Sequence, residues 1–118
     1  MNKPMIKNIE FSKALEMESL VGYQEGQVVS KTLAQSKTLS MTLFAFDQGE
    51  EISSHESSGD AMVLVLDGEG EITIGSEKHT VKQGETIVMP ANTPHAVFAK
   101  EQFKMFLIVV FPKSTDID

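Results

Sequence analysis

GEEISSHESSGDAMVLVLDG at 49–68 and GETIVMPANTPHAVFA at 84–99 are the two stretches that decide the fold of this chain. Each is bounded by glycine and contains one histidine, His55 in the first and His95 in the second. Each also includes short runs of apolar and β-branched residues, such as AMVLVL at 61–66 and TIVMP at 86–90, which are typical of strands. The two stretches therefore predict strands, with His95 at the start of one of them and His55 in the loop before another.

Similar runs continue on both sides of these stretches. The predicted strands are 28–33, 39–46, 61–66, 71–75, 79–81, 86–90, 95–99 and 104–111, and the residues around His55 are assigned to a loop. Turn-forming residues separate the runs, and no helical pattern of comparable length occurs among them. Short strands at this spacing predict an all-β sandwich or barrel.

The length of 118 residues fits one domain with one main hydrophobic core. We expect an N-terminal arm at 1–25, a barrel at 26–112 and a C-terminal tail at 113–118. The runs 61–66 and 104–111 are apolar at odd and at even positions alike, so both faces of those strands should be covered. A homodimer is the simplest source of the outer cover, and an N-terminal arm that wraps the outer face is the alternative.

Composition excludes several classes of function. The net charge is −7, from 17 acidic and 10 basic residues, and the basic residues form no cluster, so nucleic acid is not expected as a partner. With no cysteine, disulfides and thiolate ligands are unavailable. The apolar run at 103–111 is too short to span a membrane, and the N-terminus lacks the core of a signal peptide. We expect a cytoplasmic protein.

The first stretch resembles the first signature motif of the cupin superfamily. That motif runs Gly, five residues, His, one residue, His, three or four residues, Glu, six residues, Gly. Laid on this chain, it falls on Gly49, His55, Ser57, Ala61 and Gly68. Ser57 stands where the family has its second histidine, and Ala61 stands where it has glutamate.

The second stretch resembles the second cupin motif, which runs Gly, five residues, Pro, one residue, Gly, two residues, His, three residues, Asn. Here the corresponding residues are Gly84, Pro90, Asn92, His95 and Ala99. Asn92 replaces a glycine, and asparagine tolerates the positive φ that such a turn often needs. Ala99 replaces the final asparagine.

The resemblance implies a double-stranded β-helix, the cupin jelly-roll barrel, with a ligand site of His55, Ser57, Ala61 and His95 at its mouth. Family members use three histidines and a glutamate to hold Fe, Mn, Ni, Zn or Cu. Only His55 and His95 remain here as metal ligands, because serine and alanine are poor ligands for such ions. A divalent transition metal and no cofactor are equally compatible with this set, and Asp60 should point away from it.

The favoured interpretation is a small-molecule-binding cupin barrel with a weak or absent metal site. The first alternative is a metal-dependent enzyme of the dioxygenase, isomerase or decarboxylase type, and the second is a structural or regulatory dimeric barrel. The sequence leaves open whether the chain is an enzyme, because one fold hosts many chemistries. Methionines and phenylalanines such as Met89, Met105 and Phe44 are interpreted as core, with an adaptable pocket as the alternative, and His79 is given no role.

Overall fold

A computed structural model of the chain describes residues 3–113, which form nine strands and one short 3-10 helix. The helix is Met17–Leu20, and the strands are β1 Val28–Gln35, β2 Leu39–Phe46, β3 Glu51–His55, β4 Asp60–Asp67, β5 Glu69–Ile74, β6 Glu77–Lys82, β7 Thr86–Met89, β8 His95–Phe98 and β9 Phe103–Val110. The all-β prediction is confirmed. Of the expected C-terminal tail, 114–118 lie outside the described residues.

The strands form two antiparallel sheets. The larger has the order β1-β2-β9-β4-β7, and the smaller has the order β3-β8-β5-β6. Most sheet neighbours are distant in sequence, since β2 pairs with β9 and β3 pairs with β8. This arrangement of two facing sheets is the expected jelly roll.

The main core fills the space between the two sheets. Phe46 and Phe103 are fully buried there, with their rings stacked at a centroid distance of 4.7 Å and an interplanar angle of 9°. A Cβ atom on Gly70 would come within 2.5 Å of the Phe103 ring, so the position of this ring requires a glycine opposite it. Val63 and Ile72 complete the same buried layer from opposite sheets.

The N-terminal arm covers part of the outer face of the larger sheet. Val21 of the arm is buried against that face in a second cluster, which we call the arm cluster. Its other buried members are Leu33, Leu43, Ala45 and Phe106. The N-terminal arm, which the sequence analysis gave as the alternative to a homodimer, therefore covers this part of the sheet.

Polar contacts fix the end of the arm. The Tyr23 hydroxyl donates a hydrogen bond to the Asp67 carboxylate at 2.5 Å. Burial and the neighbouring Asp67 carboxylate raise the pKa of Tyr23 far above its usual value. The Lys104 ammonium lies 4.9 Å from the centre of the Tyr23 ring and donates to the backbone oxygen of Glu18.

Another part of the outer face stays exposed. Met41, Ile108, Met62 and Val88 are successive partners across β2, β9, β4 and β7, and they form one row, which we call the outer row. Met62 is 44% exposed and Val88 is 48% exposed, whereas Met41 and Ile108 are half-buried against the arm cluster. The arm alone therefore leaves the β4 and β7 end of the outer row uncovered.

One strand was missing from the sequence interpretation. The residues around His55 were assigned to a loop, whereas Glu51–His55 forms β3 at the edge of the smaller sheet. This assignment was wrong because EISSH contains a single apolar residue, Ile52, and so gives no apolar run. The strand forms because it pairs with β8, and the sequence of a short polar edge strand does not indicate such a pairing.

The described part of the chain contains no helix that is long and apolar enough to cross a membrane. The cytoplasmic location stays a prediction from the sequence.

Candidate functional site

The structure brings the two motif histidines together. His55, at the end of β3, is the pairing partner of His95, at the start of β8. Their Nε2 atoms lie 3.2 Å apart, and their rings meet edge to face with centroids 4.4 Å apart at 71°. Strand pairing thus places two residues that are 40 positions apart in one site.

The two imidazoles line a cavity of about 170 Å³ between the sheets. Ser57 and Ala61 line the same cavity, so all four positions expected at the mouth converge on it. The other lining residues are apolar and come from β2, β3, β7, β8 and β9, among them Phe44, Met89, Met105 and Leu107. The site is an apolar hollow with its polar groups at one end.

The two rings differ in exposure. His95 is buried, at 4% exposure, whereas His55 is exposed to solvent. His55 therefore forms the rim of the cavity, and His95 lies behind it. Water can reach the outer ring more easily than the inner one.

Backbone carbonyls orient both rings. His55 Nδ1 lies 3.1 Å from the backbone oxygen of Ser53, and His95 Nδ1 lies 3.3 Å from that of Thr93, so each ring can donate a hydrogen bond to its carbonyl. The two Nε2 atoms make a third hydrogen-bond contact, and two neutral rings carry only two N–H groups for the three contacts. While both rings are neutral, one of these three contacts is therefore without a ring proton at any time.

Burial keeps the inner ring neutral. Desolvation lowers the pKa of His95 below its usual value of 6.5, and the nearby His55 lowers it further, against a smaller opposing effect of the hydrogen bond to Thr93. His95 is therefore uncharged at neutral pH.

Contacts between the two motif loops hold the mouth together. The Ser57 backbone oxygen accepts a hydrogen bond from the Asn92 backbone N–H at 2.8 Å, and the Ser57 hydroxyl accepts one from the Gly59 N–H at 3.1 Å. Asn92 has a φ of 61°, in the left-handed region that the motif glycine usually supplies. The replacement of glycine by asparagine thus preserves the turn that leads into His95.

Comparison with known proteins identifies the family. The family model described as "Cupin domain" matches residues 42–111, which is more than half of the chain. The chain belongs to the cupin family. The match includes β3, β8 and every residue of the site described above.

Solved structures of related cupins superimpose closely on the chain. A conserved protein of unknown function from Streptococcus pyogenes is 46% identical, with a TM-score of 0.92 over 95% of this chain and 98% of that one. A cupin superfamily protein from Desulfitobacterium hafniense is 36% identical, with a TM-score of 0.87 over 91% and 98%. No curated protein matches the chain.

A third similar structure is longer than this cupin. The Cupin 2 conserved barrel domain protein from Leptotrichia buccalis is 46% identical, with a TM-score of 0.79. The match covers 81% of this chain but 47% of that one. That protein therefore has room for further structure beside the matched barrel.

The residues at the site do not fit a tightly held transition metal. Among residues 3–113, no group of three or more His, Cys, Asp or Glu side chains is placed to hold a metal ion. Ser57 and Ala61, which the motif resemblance places at two ligand positions, offer no imidazole or carboxylate. Asp60 is exposed and does not line the cavity, and its carboxylate accepts a hydrogen bond from the Ala91 N–H.

The cavity wall includes residues for which the sequence analysis favoured core packing and gave an adaptable pocket as the alternative. Phe44, Met89 and Met105 were interpreted as core, and they do lie in or against the main core cluster while also lining the cavity. The only signal was the number of methionines, which suits an adaptable pocket as well as core packing. His79, given no role from sequence, lies in β6, 3.9 Å from the Glu77 carboxylate.

Proposed function

We propose that this cupin binds a small, mostly apolar molecule in the mouth of its barrel, with His55 and His95 contacting the polar group of that molecule. The observation that carries the proposal is the pair of Nε2 atoms, 3.2 Å apart, at the polar end of an apolar cavity of about 170 Å³. Apolar cavities with a few convergent polar groups are typical ligand sites.

The size of the cavity limits the ligand. An apolar cavity of about 150 Å³ in another protein admits benzene. A single ring with one or two substituents therefore suits this hollow, and larger ligands would have to extend past His55 into solvent.

The donor set supports binding over metal-dependent catalysis. Two imidazoles without a carboxylate make a weak metal site, because three protein ligands are usual in catalytic metal sites. The hollow also supports binding over a purely structural barrel, because well-packed interiors leave few voids larger than a water molecule. The favoured function is therefore ligand binding without a resident metal.

Methionine methyl groups allow a direct test of the proposed site. In protein labelled with [methyl-13C]methionine, Met89 and Met105 report on the cavity and Met62 on the outer sheet. With EDTA present, we expect ring-sized fragments to shift the two cavity methyl signals and to leave that of Met62 unchanged. His95→Ala should weaken these shifts, and His79→Ala should not. If no fragment moves either cavity signal, the proposal is wrong.

Elemental analysis separates binding from the metal-dependent alternative. Protein purified without chelator should contain much less than one metal ion per chain, and His55→Ala should not change that amount. One equivalent of metal that is lost in His55→Ala would instead favour a metal-dependent enzyme of the dioxygenase, isomerase or decarboxylase type.

The proposal includes a homodimer formed through the outer row. Its four residues, Met41, Ile108, Met62 and Val88, are all uncharged, although the chain has a net charge of −7. A second copy would be repelled over most of the surface and least repelled here, where burial of apolar side chains favours contact. A twofold axis through the row would let the same strip cover itself.

A further inference from the structure

We infer that, in the proposed homodimer, residues 3–13 of each copy lie on the bare β4 and β7 end of the partner's outer row. We call residues 3–13 the leading segment. The inference rests on the homodimer of the proposed function. It goes further by naming which segment of the second copy covers the exposed side chains of the sheet.

The leading segment carries three exposed apolar side chains. Met5 is 91% exposed, Phe11 is 62% exposed and Ile6 is 42% exposed. The segment forms neither a helix nor a strand, and it lies on the surface of the protein. Single exposed apolar side chains are common, whereas a group of them within seven residues is typical of a contact surface. Burial of this group against another apolar surface is therefore favourable.

A backbone hydrogen bond holds the leading segment beside the outer row. The Lys7 N–H donates to the backbone oxygen of Leu33 in β1 at 2.7 Å. Ala34, the next residue of β1, pairs with Met41, the first residue of the outer row. The leading segment therefore lies at the β1 end of the row, and Val88 on β7 lies at the opposite end.

The outer row alone is too small to hold a dimer together. It consists of four side chains, whereas stable interfaces involve about 20–30 residues on each side. A twofold axis that crosses the row at right angles places the β1 end of one copy over the β7 end of the other. Each leading segment then meets Met62 and Val88 of the partner copy, and this contact occurs twice.

The charge of the leading segment is opposite to that of the remaining chain. The segment contains three lysines and one glutamate, so its net charge is +2. The other residues contain 7 lysines and 16 acidic residues, so their net charge is −9. The leading segment is therefore the part of one copy that the rest of a second copy attracts.

Exposed carboxylates flank the bare end of the partner's sheet. Glu85 immediately precedes β7, and the Asp60 carboxylate accepts a hydrogen bond from the Ala91 N–H just after that strand. The crossing axis brings the lysines of the leading segment towards these carboxylates. An axis along the row would instead place like charges opposite each other at both ends. Electrostatic complementarity thus favours the crossing arrangement.

Crosslinking through single cysteines tests the arrangement, because the chain has no cysteine of its own. We would express Met5→Cys and Val88→Cys chains together with different tags, and treat the mixed dimer with a short bismaleimide. We expect a covalent dimer that carries both tags. Either variant alone should crosslink poorly, because two copies of the same residue then lie roughly 19 Å apart, or four strand spacings. Thr80→Cys on the smaller sheet, used in place of Val88→Cys, should give no covalent dimer.

Charge reversal provides a second measurement that needs no crosslink. Lys3→Glu combined with Lys7→Glu should raise the dimer dissociation constant about tenfold in analytical ultracentrifugation. Lys78→Glu combined with Lys82→Glu changes the net charge equally but lies on β6 of the smaller sheet. This control should have a much smaller effect.

The possible outcomes separate the inference from the proposed function. Crosslinks of Met5→Cys to itself and of Val88→Cys to itself would overturn the inference while leaving a dimer in place. A mixed dimer without any crosslink, or equal effects of the two charge reversals, would overturn it as well. If the unsubstituted protein sediments as a monomer, the homodimer of the proposed function itself fails.

Discussion

Ala61→Val is the substitution that most clearly separates the cavity from the rest of the core. Ala61 lies in β4, is 2% exposed and lines the cavity. Valine at this position adds two methyl groups, each comparable in volume to a water molecule, which occupies about 30 Å³ in the liquid. Together they should occupy roughly a third of the cavity of about 170 Å³.

The expected change in stability follows from burial without displacement. Each added methyl group is worth about 0.8 kcal/mol when it is buried in available space, and valine suits a strand. We expect the free energy of unfolding to rise by up to about 1.5 kcal/mol. The same two groups should lower the affinity for 4-fluorotoluene at least tenfold, since they occupy the space that a ligand needs.

Urea denaturation and 19F NMR titration measure the two effects. Ala45→Val is the matched control, because Ala45 is fully buried in the arm cluster, away from the cavity. Overpacking there should lower the free energy of unfolding by about 1–3 kcal/mol without changing probe binding. If Ala61→Val proved as destabilising as Ala45→Val, no hollow would exist beside Ala61. Unchanged probe affinity in Ala61→Val would place the binding site elsewhere.

Three further predictions follow from the site and the sheet. Folding lowers the pKa of His95, so the unfolded chain protonates this histidine first as pH drops, and the free energy of unfolding should fall below about pH 6.5. In urea titrations between about pH 8 and 5, this fall should be smaller for His95→Phe, and equal slopes would contradict the lowered pKa of His95. The double variant Ser57→His with Ala61→Glu restores the cupin ligand set at positions that share one cavity. In calorimetry it should bind one Ni²⁺ per chain, whereas the unsubstituted protein should bind none, and failure of the double variant to bind would mean that the four positions do not converge. Met62→Glu adds charge to the outer row and should convert the dimer to a monomer in analytical ultracentrifugation, whereas Thr80→Glu on the smaller sheet should leave the dimer intact. An unchanged mass for Met62→Glu, or a monomeric unsubstituted protein, would contradict the proposed interface.

The pattern of short strands predicted an all-β fold, and the resemblance to the two cupin motifs implied the jelly roll and the four motif positions at its mouth. The seven residues from Gly49 to His55 and the turn through Asn92 to His95 are local features, so they are visible in the sequence. The positive φ of Asn92 shows how a substitution in the motif can preserve its backbone. Local chemistry was enough in these places.

Features set by packing between distant strands could not be predicted. β3 forms because β8 pairs with it, and its own residues are mostly polar. Phe44 and Met105 face the cavity because β2 and β9 pair in one particular register. A shift of one residue would turn both side chains to the outer face. The division of the outer face between the arm and an exposed strip likewise depends on where the arm packs.

A crystal structure of the protein soaked with 4-bromophenol tests the central claim most directly. We predict anomalous density for bromine inside the cavity beside Ala61, and the phenol oxygen within hydrogen-bonding distance of the His55 or His95 imidazole. Imidazoles of His55 and His95 found on separate surfaces, or bromine bound only outside the barrel, would contradict the account.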